Sequence, residues 1–364
     1  MKDYIFTSES VTEGHPDKIC DQIADAIVDA ALAQDPYSNM AVECTIKDDF
    51  VLIYGECNTK AELVYETIAL NEIKRIGYTE EYHVHTVVNQ QSPEIHNAVN
   101  RDEVCAGDQG IMFGYACDEN DEYMPLTIYY AHLLARQLTK VRREHPDLLK
   151  PDGKTQVSVE YENDEIKRID TIVVSTQHSK DITQEEIKKL IMDEVIKPCI
   201  DEKYLDENTK YFINPSGSFV VGGSWGDSGT TGRKIVCDTY GGRGRIGGGC
   251  FSSKDPTKVD RSAAYYSRYV AKNIVANGLA RRCEVEVAYA IGKAQPVSLC
   301  VDTFGTGKFD DEKLLEIVKK NFNFEVGNII SELDLRKPVY HKTSCYGHFG
   351  DPQFTWEKVK KLEY

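Results

Sequence analysis

Apolar positions along the chain follow two different periods, and the two alternate from one end to the other. Segments 16–33, 182–196 and 311–321 carry apolar residues every three to four positions, as Ile19, Ile23 and Ile27 do, so each segment predicts a helix. Short runs rich in β-branched residues predict strands at 51–54, 171–174 and 285–288. This alternation predicts a mixed α/β protein of the α+β type.

Three similar segments suggest that one structural unit is repeated. HTVVNQQSPEI, beginning at His85, resembles DTIVVSTQHSKDI, beginning at Asp170, and each predicts a strand, a polar turn and a helix. EVEVAYAIGKAQPVSL, beginning at Glu284, is a third copy with a different turn. The 364 residues have room for three units of about 100 residues each, although such segments also resemble one another by chance.

The most informative motif is a glycine-rich segment, 247–260, with the sequence GGGCFSSKDPTKVD. Asp255 and Pro256 predict a helix N-cap followed by proline at the first helical position, and the Asn-Gly pair at 277–278 predicts the helix end. Lys258 then lies in the first turn, where the helix dipole disfavours a cation unless an anion or a carboxylate lies beside it. Two interpretations remain open: an anion-binding helix start, or a glycine turn before an ordinary surface helix.

A second group of chemically active side chains lies at the start of the first predicted helix. In the sequence GHPDK, His15 occupies the N-cap position, a proline opens the helix, and Asp17 and Lys18 follow at its positive end. A metal-bound phosphate would account for all three polar residues. Further aspartates continue from Asp17 at every fourth position: Asp21, Asp25 and Asp29. We expect these three to form a solvated face, as charge runs usually do.

A second glycine-rich segment, 222–242, has the sequence GGSWGDSGTTGRKIVCDTYGG. Its glycines bare the backbone and favour ligand contact by Asp227, Arg233 and Lys234. The segment is neither a Walker A loop nor a dinucleotide fingerprint, because both spacings are absent. The short motif AGDQG at 106–110 is as typical of a loop as of a site, and PDGK at 151–154 is typical of a solvent-exposed turn.

The composition excludes several classes of partner. The formal net charge of −16 repels nucleic acid, so we expect none to bind, and a small polyphosphate can bind only where cations are concentrated. No apolar run approaches the roughly 20 residues that a membrane helix needs, and no apolar leader follows Met1, so we expect no membrane partner. Eleven scattered cysteines without a C-x-x-C pair predict free thiols in a cytoplasmic protein.

Together these motifs resemble the S-adenosylmethionine synthetase (methionine adenosyltransferase) family. The similarity runs from FTSESVTEGHPDK at Phe6 to YGHFG at Tyr346, with AGDQG, GDSGTTGRK, DTYGG and GGGCFSSKDPTKVDRSAAY in the family's order. It implies three similar α/β subdomains related by a pseudo-threefold axis, at 1–98, 105–221 and 222–364, with a mobile gate loop at 97–107. It also implies homodimers, often paired into homotetramers, whose active sites lie between subunits.

The resemblance implies a reaction and its residues. Methionine attacks ATP at the ribose C5′, and the expelled triphosphate is hydrolysed to phosphate and diphosphate, with two Mg²⁺ per site and K⁺ as cofactors. The matching catalytic residues are His15, Lys154, Arg233, Lys234, Lys254 and Lys258. The matching ATP contacts are His15, Asp152, Lys154, Ser218, Phe219, Asp227, Arg233, Lys234, Cys250 and Lys254. The matching methionine contacts are Glu56, Gln91, Asp108, Asp227 and Lys258. The matching metal ligands are Asp17 and Asp260 for magnesium and Glu43 for potassium.

The chain departs from the family pattern at several positions. Ser218 stands where many members have arginine, which removes one cationic phosphate contact. Ile246 replaces a common histidine, while Cys250 and Ser253 replace a common alanine and glycine. Ser224, Trp225 and Thr230 alter the usual glycine loop. The gate at 97–107 is a few residues short, and we expect it to weaken discrimination against methionine analogues.

Two other functions would use many of the same residues. One is a catalytically silent homologue that binds nucleotide and regulates a partner; the other is a phosphotransferase or polyphosphate hydrolase that does not use methionine. The presence of His15, Asp17 and Lys254 argues against the first, because an inactive site tends to lose such costly charges. Glu56 and Gln91 argue against the second, because they match an amino-acid site. We therefore predict a methionine adenosyltransferase.

Overall fold

A computed structural model describes residues 3–91 and 103–364 of the chain. The first part of the chain forms a strand, a long helix, a hairpin, a second helix and a further strand. These elements are β1 (Tyr4–Val11), α1 (Pro16–Gln34), β2 (Asn39–Lys47), β3 (Phe50–Asn58), α2 (Tyr65–Ile76) and β4 (His83–Gln90). The helix predicted at 16–33 and the strand predicted at 51–54 are confirmed.

The same order of elements follows in the middle of the chain. The elements are β5 (Gly110–Cys117), α3 (Leu126–Glu144), β6 (Leu149–Glu162), β7 (Glu165–His178), α4 (Gln184–Leu190) and β8 (Lys210–Ile213). Further helical turns at Ile191–Ile196 and Lys197–Cys199 extend α4, and a 3₁₀ turn at Glu202–Tyr204 precedes β8. The predictions at 171–174 and 182–196 are confirmed. A capping box starts α4, because Thr183 and Glu186 each accept a hydrogen bond from the other's backbone N–H.

The last part of the chain repeats the order without the final strand. Its elements are α5 (Gly223–Gly226), β9 (Gly229–Thr230), α6 (Ile235–Asp238), α7 (Val259–Ala276), β10 (Arg282–Tyr289), β11 (Ser298–Asp302), α8 (Asp311–Asn321) and α9 (Val326–Glu332). Two 3₁₀ turns follow at His341–Thr343 and Thr355–Glu357. The strand at 285–288 and the helix at 311–321 are confirmed.

Helix α7 ends near 277 as predicted but begins three positions later than predicted. Asp255 does not cap it; its Oδ1 accepts a hydrogen bond from the N–H of Thr257 at 2.9 Å. The backbone N–H of Lys258 donates to the carbonyl oxygen of Asp255 at 3.1 Å, so residues 255–258 form a turn that precedes the helix. The Asp-Pro pair therefore marks a turn here, and Lys258 itself is the N-cap residue.

Each of the three sheets that the described residues form takes one strand from a different part of the chain. The sheet orders are β1-β6-β7-β8, β11-β10-β5 and β4-β3-β2-β9. The first unit thus lends β1 to the second, the second lends β5 to the third, and the third lends β9 to the first. All three lent strands are antiparallel to their partners. This closed, cyclic exchange is what three similar units around a pseudo-threefold axis require, and it confirms the predicted fold class.

The sequence repeat, by contrast, is aligned wrongly. His85 lies in β4, which runs parallel to β3 at the end of its unit. Asp170 lies in β7, the second strand of a hairpin, and Glu284 lies in β10, the first strand of a hairpin. The three segments therefore occupy different positions in their units. Their similarity reflects the general pattern of a strand followed by polar residues.

The long helices α1, α3 and α7 open the three units in equivalent places and are largely buried. Since α7 is buried on nearly every side, its polar side chains need partners inside the protein. Arg268 donates to both carboxylate oxygens of Glu357, at 2.9 and 2.8 Å, and to the carbonyl oxygen of Tyr115 at 2.8 Å. The Lys272 ammonium donates to the same carboxylate at 2.8 Å.

The aspartates along α1 are also buried, so the predicted solvated face is wrong. Asp21 and Asp25 are 0% exposed, and Asp29 is partly buried. Asp21 accepts a hydrogen bond from Lys18 at 2.9 Å, and Asp25 accepts two from Arg261 at 2.7 Å each. The charges are tolerated inside because each aspartate has cationic or backbone donors, most of which come from residues distant in sequence.

The predicted gate lies partly outside the described residues. In its described part, the backbone N–H of Ala106 donates to the carbonyl oxygen of Lys293 at 2.9 Å, and that of Gly107 donates to Thr257 at 3.3 Å. All eleven cysteines of the sequence are free thiols, as predicted. Among the helices that the structure describes, none has the length and apolar character needed to span a membrane.

Candidate active site

His15 lies at the N-terminus of α1 as its N-cap, as the sequence predicts. Its Nδ1 accepts a hydrogen bond from the backbone N–H of Asp17 at 3.2 Å, and the residue is only 3% exposed. Burial, together with the nearby cation of Lys234, lowers the pKa of His15 to about 3. The imidazole is therefore neutral, and because Nδ1 accepts, its proton resides on Nε2.

Asp17 ties the start of α1 to the glycine loop around β9. Its Oδ1 accepts a hydrogen bond from the N–H of Thr230 at 3.0 Å, and its Oδ2 accepts one from the Lys234 ammonium at 2.6 Å. Burial opposes ionisation of Asp17, but these two hydrogen bonds outweigh it and lower its pKa. The loop lies so close that a Cβ on Gly229 would be 2.1 Å from the carbonyl oxygen of Pro16. The glycine is thus required by packing.

Two predicted nucleotide residues, Asp152 and Lys154, lie on β6 beside this cluster. Asp152 is buried, and its Oδ2 accepts a hydrogen bond from the N–H of Gly223 at 2.8 Å. Its Oδ1 has no hydrogen-bond partner within the described residues. Burial raises the pKa of Asp152 to about 6. Lys154 is exposed, and it lies close enough to His15 for its charge to lower the pKa of the imidazole. The two side chains therefore lie in the same part of the molecule.

Three further predicted residues border Asp152. The N–H of Phe219 donates to Nε2 of His178 at 2.9 Å. This hydrogen bond holds the backbone that leads into the glycine-rich segment 222–242. Ser218 is exposed next to it. Asp227 is exposed as well, and its charge acts on both Asp152 and His15. Asp227, predicted to contact both ATP and methionine, therefore lies beside the cluster of His15 and Asp152.

A second cluster forms around the motif at 247–260. The Lys254 ammonium donates to Oδ2 of Asp260 at 2.6 Å, and that of Lys258 donates to Oδ2 of Asp255 at 2.6 Å. Asp255 is thus the carboxylate that the sequence requires beside a lysine at a helix N-terminus. Asp260 lies in the first turn of α7, where the helix dipole favours its negative charge.

Glu43 joins this second cluster through Ser253. The Ser253 hydroxyl donates to Oε1 of Glu43 at 2.9 Å, and burial raises the pKa of Glu43. The backbone of Ser253 has a φ of 81°, a conformation that L side chains rarely adopt. This geometry explains why a glycine is common here, and the hydrogen bond to Glu43 shows what the serine side chain adds.

The two clusters meet at Gly232 and Cys250. The N–H of Gly232 donates to Oδ1 of Asp21 at 2.8 Å, and a Cβ on Gly232 would lie 2.7 Å from the Cys250 sulfur. Burial raises the pKa of Cys250 to about 12, so its thiol stays protonated. Cys250 therefore acts by its shape and not as a nucleophile.

Two further residues predicted to contact methionine, Glu56 and Asp108, lie beside the second cluster. Glu56 on β3 is exposed and pairs with Ala41, which itself forms a β-bridge with Lys254. Asp108 is exposed just before Gly110, and a Cβ on Gly110 would lie 3.3 Å from Oδ1 of Asp260.

Gln91 follows β4, where its backbone N–H donates to the carbonyl oxygen of Cys57 at 3.0 Å. The side chain is buried, and its Oε1 has no hydrogen-bond partner within the described residues. Such buried polar atoms normally have a partner. Each of the two clusters therefore has one nearby acceptor that suits a ligand. Oδ1 of Asp152 lies beside the first cluster, and Oε1 of Gln91 follows the strands that border the second.

Comparison with known proteins agrees with this arrangement. Models of the N-terminal, central and C-terminal domains of S-adenosylmethionine synthetase match residues 3–102, 103–219 and 221–358. The chain belongs to the S-adenosylmethionine synthetase family. An S-adenosylmethionine synthase of Clostridium tetani is 53% identical over 382 residues, covering 99% of this chain and 98% of its own length. One of Sorangium cellulosum is 52% identical over 375 residues, covering 99% and 89%.

The family resemblance seen in the motifs is confirmed, and the chain is an enzyme with methionine adenosyltransferase activity. Enzymes of this family need a divalent metal. Within the described residues, no three or more His, Cys, Asp or Glu side chains form a complete metal site. Single carboxylates such as Asp17 and Asp260 fit a hard cation that takes most of its oxygens from substrate phosphates and water.

Three structural features of the site were not predicted from the sequence: the burial of Asp21, of Asp25 and of Lys18. Lys18 is fully buried between Asp21 and Asp238, so its ammonium does not lie at the surface, where a phosphate could reach it. The signal that marks Asp21 and Asp25 is their four-residue spacing from Asp17, which places them on the same helix face.

Proposed function

We propose that the two clusters form one reaction centre for adenosyl transfer, in which ATP and L-methionine yield S-adenosylmethionine, phosphate and diphosphate. The observation that supports this most directly is that Lys154, Arg233 and Lys234 lie around His15 and Asp17 in a chain with a net charge of −16. Cations grouped in this way, with Lys254 in the second cluster, suit a triphosphate. A thioether carries no proton, so its attack on C5′ needs no general base.

The proposed first step depends on alignment and on stabilisation of the departing triphosphate. His15 is suited to this step because it is neutral and its Nε2–H, which has no acceptor among residues 3–91 and 103–364, can donate to the oxygen that leaves C5′. Lys234 and Lys254 would offset the growing charge of the triphosphate. The acceptors on Asp152 and Gln91 would orient the adenosine and methionine parts of the substrates, with Phe219, Asp227, Glu56 and Asp108 bordering them.

We assign two Mg²⁺ ions to the carboxylates of Asp17 and Asp260, and K⁺ to Glu43. Bound magnesium would neutralise phosphate oxygens in the transfer and in the later hydrolysis of triphosphate. The donor set agrees with this role, because each carboxylate already lies against a lysine that would also face phosphate. Arg233 and Lys258, at the two ends of the cationic region, would hold the triphosphate during its hydrolysis.

We also propose a homodimer with active sites between subunits, assembled further into a homotetramer. Exposed apolar side chains lie on β4, on β5, on α6 and just before the glycine-rich segment 247–260, next to the predicted site residues: Val87, Ile111, Val236 and Ile246. A second copy would cover them. The subdomains would follow 1–98, 105–221 and 222–364 apart from the lent strands, with 97–107 as the gate. The free thiols favour the reducing cytoplasm.

One assay separates this function from its rivals. The purified protein is incubated with ATP, L-methionine, Mg²⁺ and K⁺, and the products are separated by mass. We expect the sulfonium product together with phosphate and diphosphate. A nucleotide-binding regulator would release nothing, and a polyphosphate hydrolase would release phosphate without the sulfonium; either result would refute the proposal.

A further inference from the structure

The aspartates of α1 form a ladder in which each carboxylate holds a different segment of the chain. The four residues are spaced by one turn, about 6 Å along the helix axis. Their backbone donors, in the order Asp17, Asp21, Asp25 and Asp29, are the N–H groups of Thr230, of Gly232, of Ser253, and of both Tyr340 and His341. The first two thus hold the Arg233–Lys234 loop, the third holds the Lys254 loop, and the last holds the C-terminal region.

Asp21 is a fully buried member of the ladder. Its Oδ1 accepts from the N–H of Gly232 at 2.8 Å, and its Oδ2 accepts from the Lys18 ammonium at 2.9 Å. Lys18 also donates to Asp238 on α6, at the other end of the same loop. All three side chains are buried and are therefore out of reach of a substrate.

The Arg233–Lys234 pair is thus fixed at both ends by one buried lysine and its two carboxylates. On the N-terminal side, Asp21 fixes the backbone of Gly232, which directly precedes Arg233. On the C-terminal side, the N–H of Asp238 donates to the carbonyl oxygen of Lys234 at 2.8 Å. A loop with so many glycines has little side-chain packing of its own to fix it, so these anchors set where its cations point.

We propose that Asp21 is a positioning residue, which places Arg233 and Lys234 for contact with the triphosphate without contacting it. This inference rests on the proposed function of the cationic cluster. Asp29 offers a matched comparison, because it lies on the same helix face and accepts two backbone hydrogen bonds of 2.9 Å, but from residues outside the cluster.

The test compares three variants of the full-length protein: Asp21→Ala, Asp21→Asn and Asp29→Ala. Inorganic tripolyphosphate with Mg²⁺ is titrated into each by calorimetry, and KM for ATP, KM for methionine and Tm are measured in parallel. We expect Asp21→Ala to weaken tripolyphosphate binding about tenfold or more and to raise KM for ATP, with KM for methionine unchanged. Asp29→Ala should lower Tm without changing tripolyphosphate affinity.

Asp21→Asn keeps the size of the side chain but can satisfy only Gly232 or Lys18, so it should weaken tripolyphosphate binding by less. If Asp21→Ala does not fold, the tripolyphosphate affinity of Asp21→Asn, compared with that of the wild type, tests the proposal. Equal tripolyphosphate affinity in Asp21 variants and wild type would overturn the inference, and so would an equal loss in Asp29→Ala. Failure of the wild-type protein to bind tripolyphosphate would instead overturn the proposed function of the cluster.

Discussion

Replacement of Lys254 by alanine tests the cationic cluster most sharply, because the ammonium is partly buried and has one carboxylate partner. Two unit charges 4 Å apart interact by about 4 kcal/mol at an effective dielectric of 20. Asp260, at 2.6 Å from the Lys254 ammonium, already offsets part of that charge. We therefore expect a loss of about 3 kcal/mol in stabilisation of the departing triphosphate, which lowers kcat about 100-fold.

The measurement is the rate of sulfonium formation under saturating ATP and methionine, with circular dichroism and Tm to confirm folding. Lys313→Ala is the matched control, since Lys313 also lies 2.8 Å from a carboxylate, that of Glu316, but on the outer helix α8. Asp260→Asn should lower kcat by a similar factor because it removes the charge of a carboxylate proposed to bind Mg²⁺. A folded Lys254→Ala enzyme with wild-type kcat would refute the reasoning.

Three other changes have separate expected results. Asp152→Asn keeps an acceptor for Gly223 but loses one carboxylate oxygen, so KM for ATP should rise about tenfold while KM for methionine stays constant; an unchanged KM for ATP would contradict the assignment. The hydrogen bond from His341 to Glu72 raises the pKa of His341, so its stabilisation is complete below pH 6.5 and is lost as pH rises through the folded-state pKa. The Tm difference between wild type and His341→Gln should therefore shrink from pH 5.5 to about pH 8, and a pH-independent difference would count against it. Insertion of three residues into 99–107 should raise the ratio of kcat/KM for methionine to that for ethionine, and an identical ratio would argue against a role of gate length.

The parts of the site that depend on local signals could be predicted from the sequence. His15 as an N-cap and Pro16 as the first helical residue follow from neighbouring residues alone, and both are confirmed. The need for a carboxylate beside Lys258 follows from the helix dipole, although the sequence did not reveal that Asp255 would supply it. Asp255 was predicted to be the N-cap of α7 because an Asp-Pro pair is typical of turns as well as of helix starts. The pair forms a turn here, so α7 begins three residues later than predicted.

The parts that depend on distant partners could not be predicted. Asp25 has the pattern of a solvated residue until Arg261, 236 positions later, is seen to pair with it. The same holds for the lent strands, because alternation of apolar and polar residues identifies a strand but not the sheet it joins. Physical reasoning on the sequence therefore gave the elements and the chemical groups, and tertiary contacts decided which of those groups meet.

The cyclic exchange of strands has a consequence for how the protein folds. Within the described residues β1 pairs with 154–161 alone, and β2 receives its edge partner from residues 229–230. A fragment cut at the unit boundaries would therefore have a missing strand in its own sheet and an unpaired strand left over. The three units should gain their stability together, in one cooperative transition. During synthesis the first unit must also wait for more than half of the chain before its sheet is complete.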